Sequence, residues 1–161
     1  MAEPTTMEEV LALLQERPDD AELYQQLGDM HFKRGDLMEA WQAFMQSLRL
    51  NPEDPWTCLK FGTLLTLCEE KKYARELFDH AIELDSELAV AHWCSGNLYR
   101  EQGEYEFAER AYERAVEVDP DDEQAREKLA EWRSFIAGVR DTGPPRVAEA
   151  EPDAAADGEG I

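Results

Sequence analysis

Residues 89–120, AVAHWCSGNLYREQGEYEFAERAYERAVEVDP, hold the pattern that decides the fold. Small and aromatic residues fall at Gly96, Tyr99, Ala108, Tyr112 and Ala115, and Asp119-Pro120 closes the stretch. Gln102-Gly103-Glu104 interrupts the helical periodicity, so the stretch predicts two short helices joined at a glycine hinge. Thirty-four residues upstream the pattern returns as Gly62, Leu65, Ala74, Phe78 and Ala81. It returns again as Gly28, His31, Ala40, Phe44 and Ser47, closing at Pro52. A constant period of this size marks a repeat architecture, in which each unit buries its apolar face against its neighbour.

Working outward, three full repeats occupy residues 21–54, 55–88 and 89–122. Asp20 and Asp54 are expected N-caps, the second followed by Pro55 at the first helical position, where no amide is missed. The middle repeat has no hinge glycine; Glu69-Glu70-Lys71-Lys72 takes its place. Residues 5–17 read as a shorter amphipathic helix that caps the array, with Thr5, Thr6, Glu8 and Glu9 at capping-box spacing and Pro18 as its stop. Residues 123–138 continue the phase, with Leu129 and Ala130 where the first repeat has Leu27 and Gly28, and read as a solvating C-terminal cap helix. Residues 139–161 change to proline, glycine, alanine and acid, with little to bury, and are expected to form a disordered acidic tail. That tail is either a passive solubilising segment or a mobile acidic arm that screens the binding surface or engages a basic partner. The expected fold is all-α: an α-solenoid of three helical hairpins with a capping helix at each end.

The chain has 161 residues, enough for one domain with a real core, and its 43% hydrophobic share sets it apart from a disordered sequence. A formal net charge of -21 disfavours nucleic acid and anionic membrane, whose phosphates would be repelled. No stretch nears the roughly 20 apolar residues a membrane span requires, and the first residues lack the basic and apolar regions of a secretory signal. Three cysteines without framework spacing fit a reduced, cytoplasmic protein.

The residues quoted resemble the tetratricopeptide repeat family, whose unit is a pair of antiparallel helices. That family places leucine then glycine at the seventh and eighth positions, alanine at the twentieth, an aromatic at the twenty-fourth and alanine at the twenty-seventh. Here the eighth position is Gly28, Gly62 and Gly96, and the twenty-fourth is Phe44, Phe78 and Tyr112. Departures are His31 for tyrosine, Cys58 and His92 at the bulky fourth position, Phe61 and Ser95 for leucine, and Ser86 for proline. The resemblance covers residues 21–122. It implies a superhelix whose concave groove, lined by the first helices, binds a peptide or helix from another protein.

The groove positions of the family carry over residue by residue. In the first repeat they include Gln25, Asp29 and Phe32; in the second Trp56, Leu59, Lys60, Thr63, Thr66 and Leu67; in the third Val90, Trp93, Cys94, Asn97, Arg100 and Glu101. Trp56, Leu59, Val90 and Trp93 would leave an apolar patch, and such patches mark interaction sites. Lys60, Asn97 and Arg100 would orient a backbone or carboxylate. The expected partner-binding set is therefore Phe32, Trp56, Leu59, Lys60, Thr63, Leu67, Val90, Trp93, Cys94, Asn97 and Arg100. A shift of one residue in phase would instead place Trp93 in the core. Relatives that clamp the acidic C-termini of heat-shock chaperones use lysine, asparagine and arginine at positions that here hold Gln25, Asp29, Lys60, Val90 and Cys94, so that clamp is absent.

No catalytic, metal or cofactor motif stands out. His31, His80 and His92 fall in different helices without a ligand partner at metal spacing, and Cys58, Cys68 and Cys94 read as small buried hydrophobes. Cys94, in the groove, is the one cysteine whose reactivity bears testing. The sequence thus reads as a non-catalytic adaptor or scaffold that holds an apolar or amphipathic segment of a partner protein, itself a monomer or weak homodimer. Two alternatives stay open. One is a chaperone, since the compact acidic array is similar to the chaperones of type III secretion translocators. The other is a self-assembling module using Trp41 or Trp132 on an outer face.

Overall fold

The structure, a computed structural model, describes residues 6–142. These form eight helices and no strand: α1 (Met7–Glu16), α2 (Ala21–Arg34), α3 (Leu37–Leu50), α4 (Pro55–Leu67), α5 (Lys71–Leu84), α6 (Ala89–Glu101), α7 (Tyr105–Val118) and α8 (Glu123–Thr142). Local chemistry sets the ends. Thr6 and Glu9 close a capping box on α1, each side chain accepting from the other's backbone N–H. Asp20 and Asp54 each accept two amides of the first turn that follows, and Asp122 accepts from Gln124 N at 2.9 Å ahead of α8.

The turns inside the hairpins need a left-handed residue. Gly35 (φ 83°) and Gly103 (φ 75°) provide it at no steric cost. In the middle repeat Glu69 takes the same conformation at φ 62°, so the charged hinge is a strained one.

Packing follows the repeat. Hairpins α2–α3, α4–α5 and α6–α7 stack in order, with α1 against α2 and α8 against α7 and α6. The first helices α2, α4, α6 and α8 also touch in sequence, forming an inner layer, with α3, α5 and α7 outside. Within each hairpin an aromatic lies on a glycine: a Cβ on Gly28, Gly62 or Gly96 would come within 2.6, 2.7 or 2.9 Å of Phe44, Phe78 or Tyr112. That close approach is why these three positions carry no side chain.

The C-terminal helix differs from expectation in two ways. It does not stop at Gly138 but runs to Thr142, so residues 139–142 are helical rather than tail. One glycine costs a helix about 1 kcal/mol, too little to end it among good helix formers, and the first strong stop in the sequence is Gly143-Pro144-Pro145. Residues 143–161 lie outside the described residues. Nor does α8 only solvate the end: Trp132 is 1% exposed, stacked near Tyr112 and Tyr105 at 5.7 and 5.9 Å between ring centroids. Trp132 is therefore core, and an outer-face role for it is ruled out. Trp41 is half-buried, edge-on against Phe61 at 5.4 Å.

Candidate partner-binding groove

The inner layer is least polar at α4. Its sequence PWTCLKFGTLLTL carries a single charge, Lys60, where a helix with one solvated face ordinarily carries several. One side packs into the main core through Cys58, Phe61, Leu64 and Leu65. The other leaves Leu67 60% and Trp56 49% exposed at its two ends. Helix α6 stands beside it, with Val90, Trp93 and Cys94 turned to the same side.

Between them lies a cavity of about 370 Å3. Leu59, Lys60, Thr63, Thr66 and Leu67 form one wall, and Val90, Trp93, Cys94, Asn97 and Glu101 the other. Asp29 and Phe32 of α2 close one end, and Phe78 of α5 forms part of the floor. Nine expected residues meet here: Phe32, Leu59, Lys60, Thr63, Leu67, Val90, Trp93, Cys94 and Asn97.

Two do not. Trp56 borders a separate polar depression with Glu22, Gln25, Asn51 and Asp54. Lys60 borders both, and the polar side chains beside Trp56 bond one another: Gln25 Nε2 donates to Asp54 at 2.6 Å and to Thr57 Oγ1 at 2.8 Å, and Lys60 Nζ donates to Gln25 at 3.4 Å. Arg100 is not among the cavity's lining residues; its charge lies near the Tyr112 hydroxyl instead. The continuous patch expected from Trp56 to Trp93 is thus shorter, running from Leu59 and Leu67 to Val90 and Trp93.

The polar groups of the lining are mostly engaged. Lys60 Nζ sits 2.5 Å from Asp29 Oδ2, so the lysine is not free for a ligand carboxylate and the Asp29 charge is offset. Thr63 and Thr66 donate their hydroxyls to the carbonyls of Leu59 and Gly62, four residues back, at 2.9 and 3.0 Å. Asn97 Oδ1 accepts from Tyr112 at 2.7 Å, which orients its amide nitrogen as a remaining donor. Burial pushes the Tyr112 hydroxyl up to about 12, with Arg100 opposing the shift.

Trp93 satisfies both of its readings. It borders the cavity and also packs on the Tyr112–Leu129–Trp132 cluster, and its buried indole N–H has no partner among the described residues. For Cys94, whose reactivity its position left to be tested, burial pushes the thiol up to about 12, with the neighbouring Thr63 hydroxyl opposing. At neutral pH it is a protonated, apolar lining group.

Asp29, Thr66 and Glu101, groove positions outside the expected binding set, complete the lining together with Phe78, which the register does not place in the groove. Phe78 is the instructive omission. As the aromatic of its repeat it reads as core filler, and only the gap between α4 and α6 leaves part of its ring facing the cavity.

The lining holds no paired acid and base and no activated nucleophile. Each histidine has its own partner: His31 lies 3.5 Å from Asp36, His80 3.3 Å from the Pro52 carbonyl, and His92 3.0 Å from the Ser86 carbonyl. Among the described residues there is no group of three or more metal-ligating side chains, and no helix is long and apolar enough to cross a membrane.

Comparison with known proteins finds the same kind of repeat. Residues 21–54 match the family model described as tetratricopeptide repeat, and residues 96–131 one described as TPR repeat. The mouse protein O-mannosyl-transferase TMTC1 is 31% identical over 122 residues, which are 73% of this chain and 13% of that protein. Stress-induced-phosphoprotein 1 of Caenorhabditis elegans is 30% identical over 110 residues, 68% of this chain and 34% of the relative. The chain thus spans a third or less of the length of these curated relatives. Among solved structures, MamA superposes with a TM-score of 0.71 at 22% identity, covering 83% of this chain and 78% of MamA. The first TPR of Spaghetti (RPAP3), solved bound to the HSP90 peptide SRMEEVD, gives 0.67 at 20% identity, over 73% of this chain and 93% of that one. The chain belongs to the tetratricopeptide-repeat family, and its fold is an all-α tetratricopeptide solenoid.

Proposed function

We propose that this tetratricopeptide-repeat protein is a non-catalytic interaction module, whose cavity between α4 and α6 holds an apolar or amphipathic segment of a partner protein. The observation that carries the reading is the lining itself. Leu59, Leu67, Val90, Trp93 and Cys94 surround about 370 Å3 open to solvent, a volume suited to one or two large apolar side chains. The Asn97 amide supplies a donor for the backbone of the bound segment.

The ligand differs in kind from the acidic peptide held by Spaghetti. With Asp29 and Lys60 paired and Val90 and Cys94 in place of cations, no free positive charge lines the cavity. Apolar burial drives binding here, and it persists in high salt, where an acidic clamp would fail.

Selection of peptides from a random library by the full chain tests this. The expected winners share apolar residues, tolerate high salt, and carry no requirement for a free acidic C-terminus; SRMEEVD itself should bind more weakly than about 1 mM. Enrichment of acidic C-termini that salt abolishes would overturn the reading.

A further inference from the structure

The outer face of α3 differs from the two helices that repeat it. Met38, Gln42 and Met45 follow one another at spacings of four and three along α3, all solvent-facing, with Met38 67% and Met45 53% exposed. The same positions hold Lys72, Glu76 and Asp79 in α5, and Glu106, Arg110 and Glu113 in α7, all exposed. Six charges in two repeats thus become two methionines and a glutamine in the first.

Among the described residues nothing covers this face. Helix α3 packs on α2 and α4 alone, and Trp41 donates its indole N–H to Met45 Sδ at 2.9 Å, fixing the methionine on the surface. Its only charged residues are Glu39 near one end and Arg49 near the other. Both are exposed, and neither makes an ion pair among the described residues.

We propose that a second copy of the chain docks here, α3 against α3, antiparallel about a two-fold axis. Two considerations select this occupant. A chain of net charge -21 repels its own copy, and this stripe is where an outer helix brings the fewest charges to the contact. The charges that flank it also have an orientation. A parallel pair would set Arg49 against Arg49 and Glu39 against Glu39, whereas the antiparallel pair sets each Arg49 beside the Met38–Glu39 end of its mate. The contact is isologous and closes at two copies.

Residues 38, 42, 45 and 49 repeat at the spacing of a coiled-coil seam and span about 16 Å at 1.5 Å per residue. One such helix pair is small beside the roughly 800 Å2 per partner of a stable interface, so the dimer is weak and reversible. Because the long-range term is repulsion between like net charges, association tightens as salt shortens the Debye length from about 8 Å to about 3 Å.

Sedimentation equilibrium of the full chain tests this. Its mass should rise with concentration from 18.4 kDa toward twice that value, at lower concentration in ~1 M than in ~0.15 M salt. Met38→Lys with Met45→Asp, the residues α5 carries at those positions, should hold the chain monomeric while leaving its thermal melt unchanged. Glu39→Arg alone should weaken association at low salt, and Glu39→Arg combined with Arg49→Glu should restore it. A wild-type chain that stays monomeric overturns the proposal and leaves this face to a different protein. So does a dimer that survives the methionine substitutions, or an assembly that grows beyond two copies.

Discussion

Replacing Gly62 with alanine tests how closely the hairpins must approach. The new Cβ would stand 2.7 Å from Phe78 Cε1, 2.9 Å from Cδ1 and 3.2 Å from Cζ, where carbon atoms settle at about 3.5–4.0 Å. Phe78 is 2% exposed, packed in the core everywhere except where its ring borders the cavity. The ring, or helix α5 with it, has to move by most of an ångström. Overpacking of this kind costs about 1–3 kcal/mol, and the better helix propensity of alanine returns about 1 kcal/mol. The net expectation is a loss of up to about 2 kcal/mol, a drop in melting temperature of up to about 6 °C for an ordered region of this size. Circular dichroism melts of wild type, Gly62→Ala, Phe78→Leu and the double variant measure it. Phe78→Leu alone should destabilise, and in the Gly62→Ala background it should destabilise by at least about 1 kcal/mol less, because the smaller side chain relieves the clash. Since Phe78 also floors the cavity, Gly62→Ala should lower affinity for a groove peptide as well. A Gly62→Ala protein as stable as wild type, with additive effects of the two substitutions, would refute the close-approach argument.

Three further outcomes follow from the structure. Glu69→Gly relieves the left-handed strain of the middle hinge and should raise stability by about 0.5–1 kcal/mol in a urea titration, whereas Gly103→Ala should lower it by about as much. A disulfide reagent at pH 8 should leave Cys94 and Cys58 unmodified in the native chain, their thiols held up to about 12 and about 11 by burial, and should reach them once denaturant is added. Tyr112, raised in the fold to about 12 from an ordinary value of 10.0, favours the folded state fully below pH 10; that contribution of about 3 kcal/mol should fade between pH 10 and 12, and Tyr112→Phe should remove this part of the alkaline loss.

Much of the fold is written in short-range chemistry and in a period. Asp20, Asp54 and the Thr6–Glu9 box name the helix starts they occupy, because an N-cap acts on amides two or three residues away. The glycine–aromatic pairs name the helix contacts, because only a missing side chain permits that approach. Where the reading failed, the deciding partner lay far along the chain. The end of α8 read as 138 because the composition changes beyond it, but a change of average composition does not end a helix, and the first strong stop is Gly143-Pro144-Pro145. Trp132 looked external because nothing local shows that α8 delivers it onto Tyr112 and Tyr105.

The groove divides along the same line. Nine of its residues followed from the register of the repeats, since a fixed period places each first helix in the same way. Trp56 and Arg100 share that register and still lie elsewhere. The polar network beside Trp56 joins Gln25 to Asp54, Thr57 and Lys60, contacts between residues about thirty apart that no periodicity predicts. The Asp29 carboxylate likewise takes Lys60, a charge expected to orient a ligand, as its own partner. Trp93, with one face in the core and one on the cavity, is both things its position allowed.

The central claim is that the cavity between α4 and α6 is where a partner segment binds. It is tested most directly by titrating the tightest library-selected peptide into isotopically labelled wild type and Leu67→Asp. Leu67 is 60% exposed, so the fold should tolerate the substitution. Amide shifts should concentrate at Thr63, Leu67, Val90, Cys94 and Asn97, and Leu67→Asp should weaken binding by about tenfold or more. Shifts confined to the outer helices α3, α5 and α7, or an affinity unchanged by Leu67→Asp, would contradict the account.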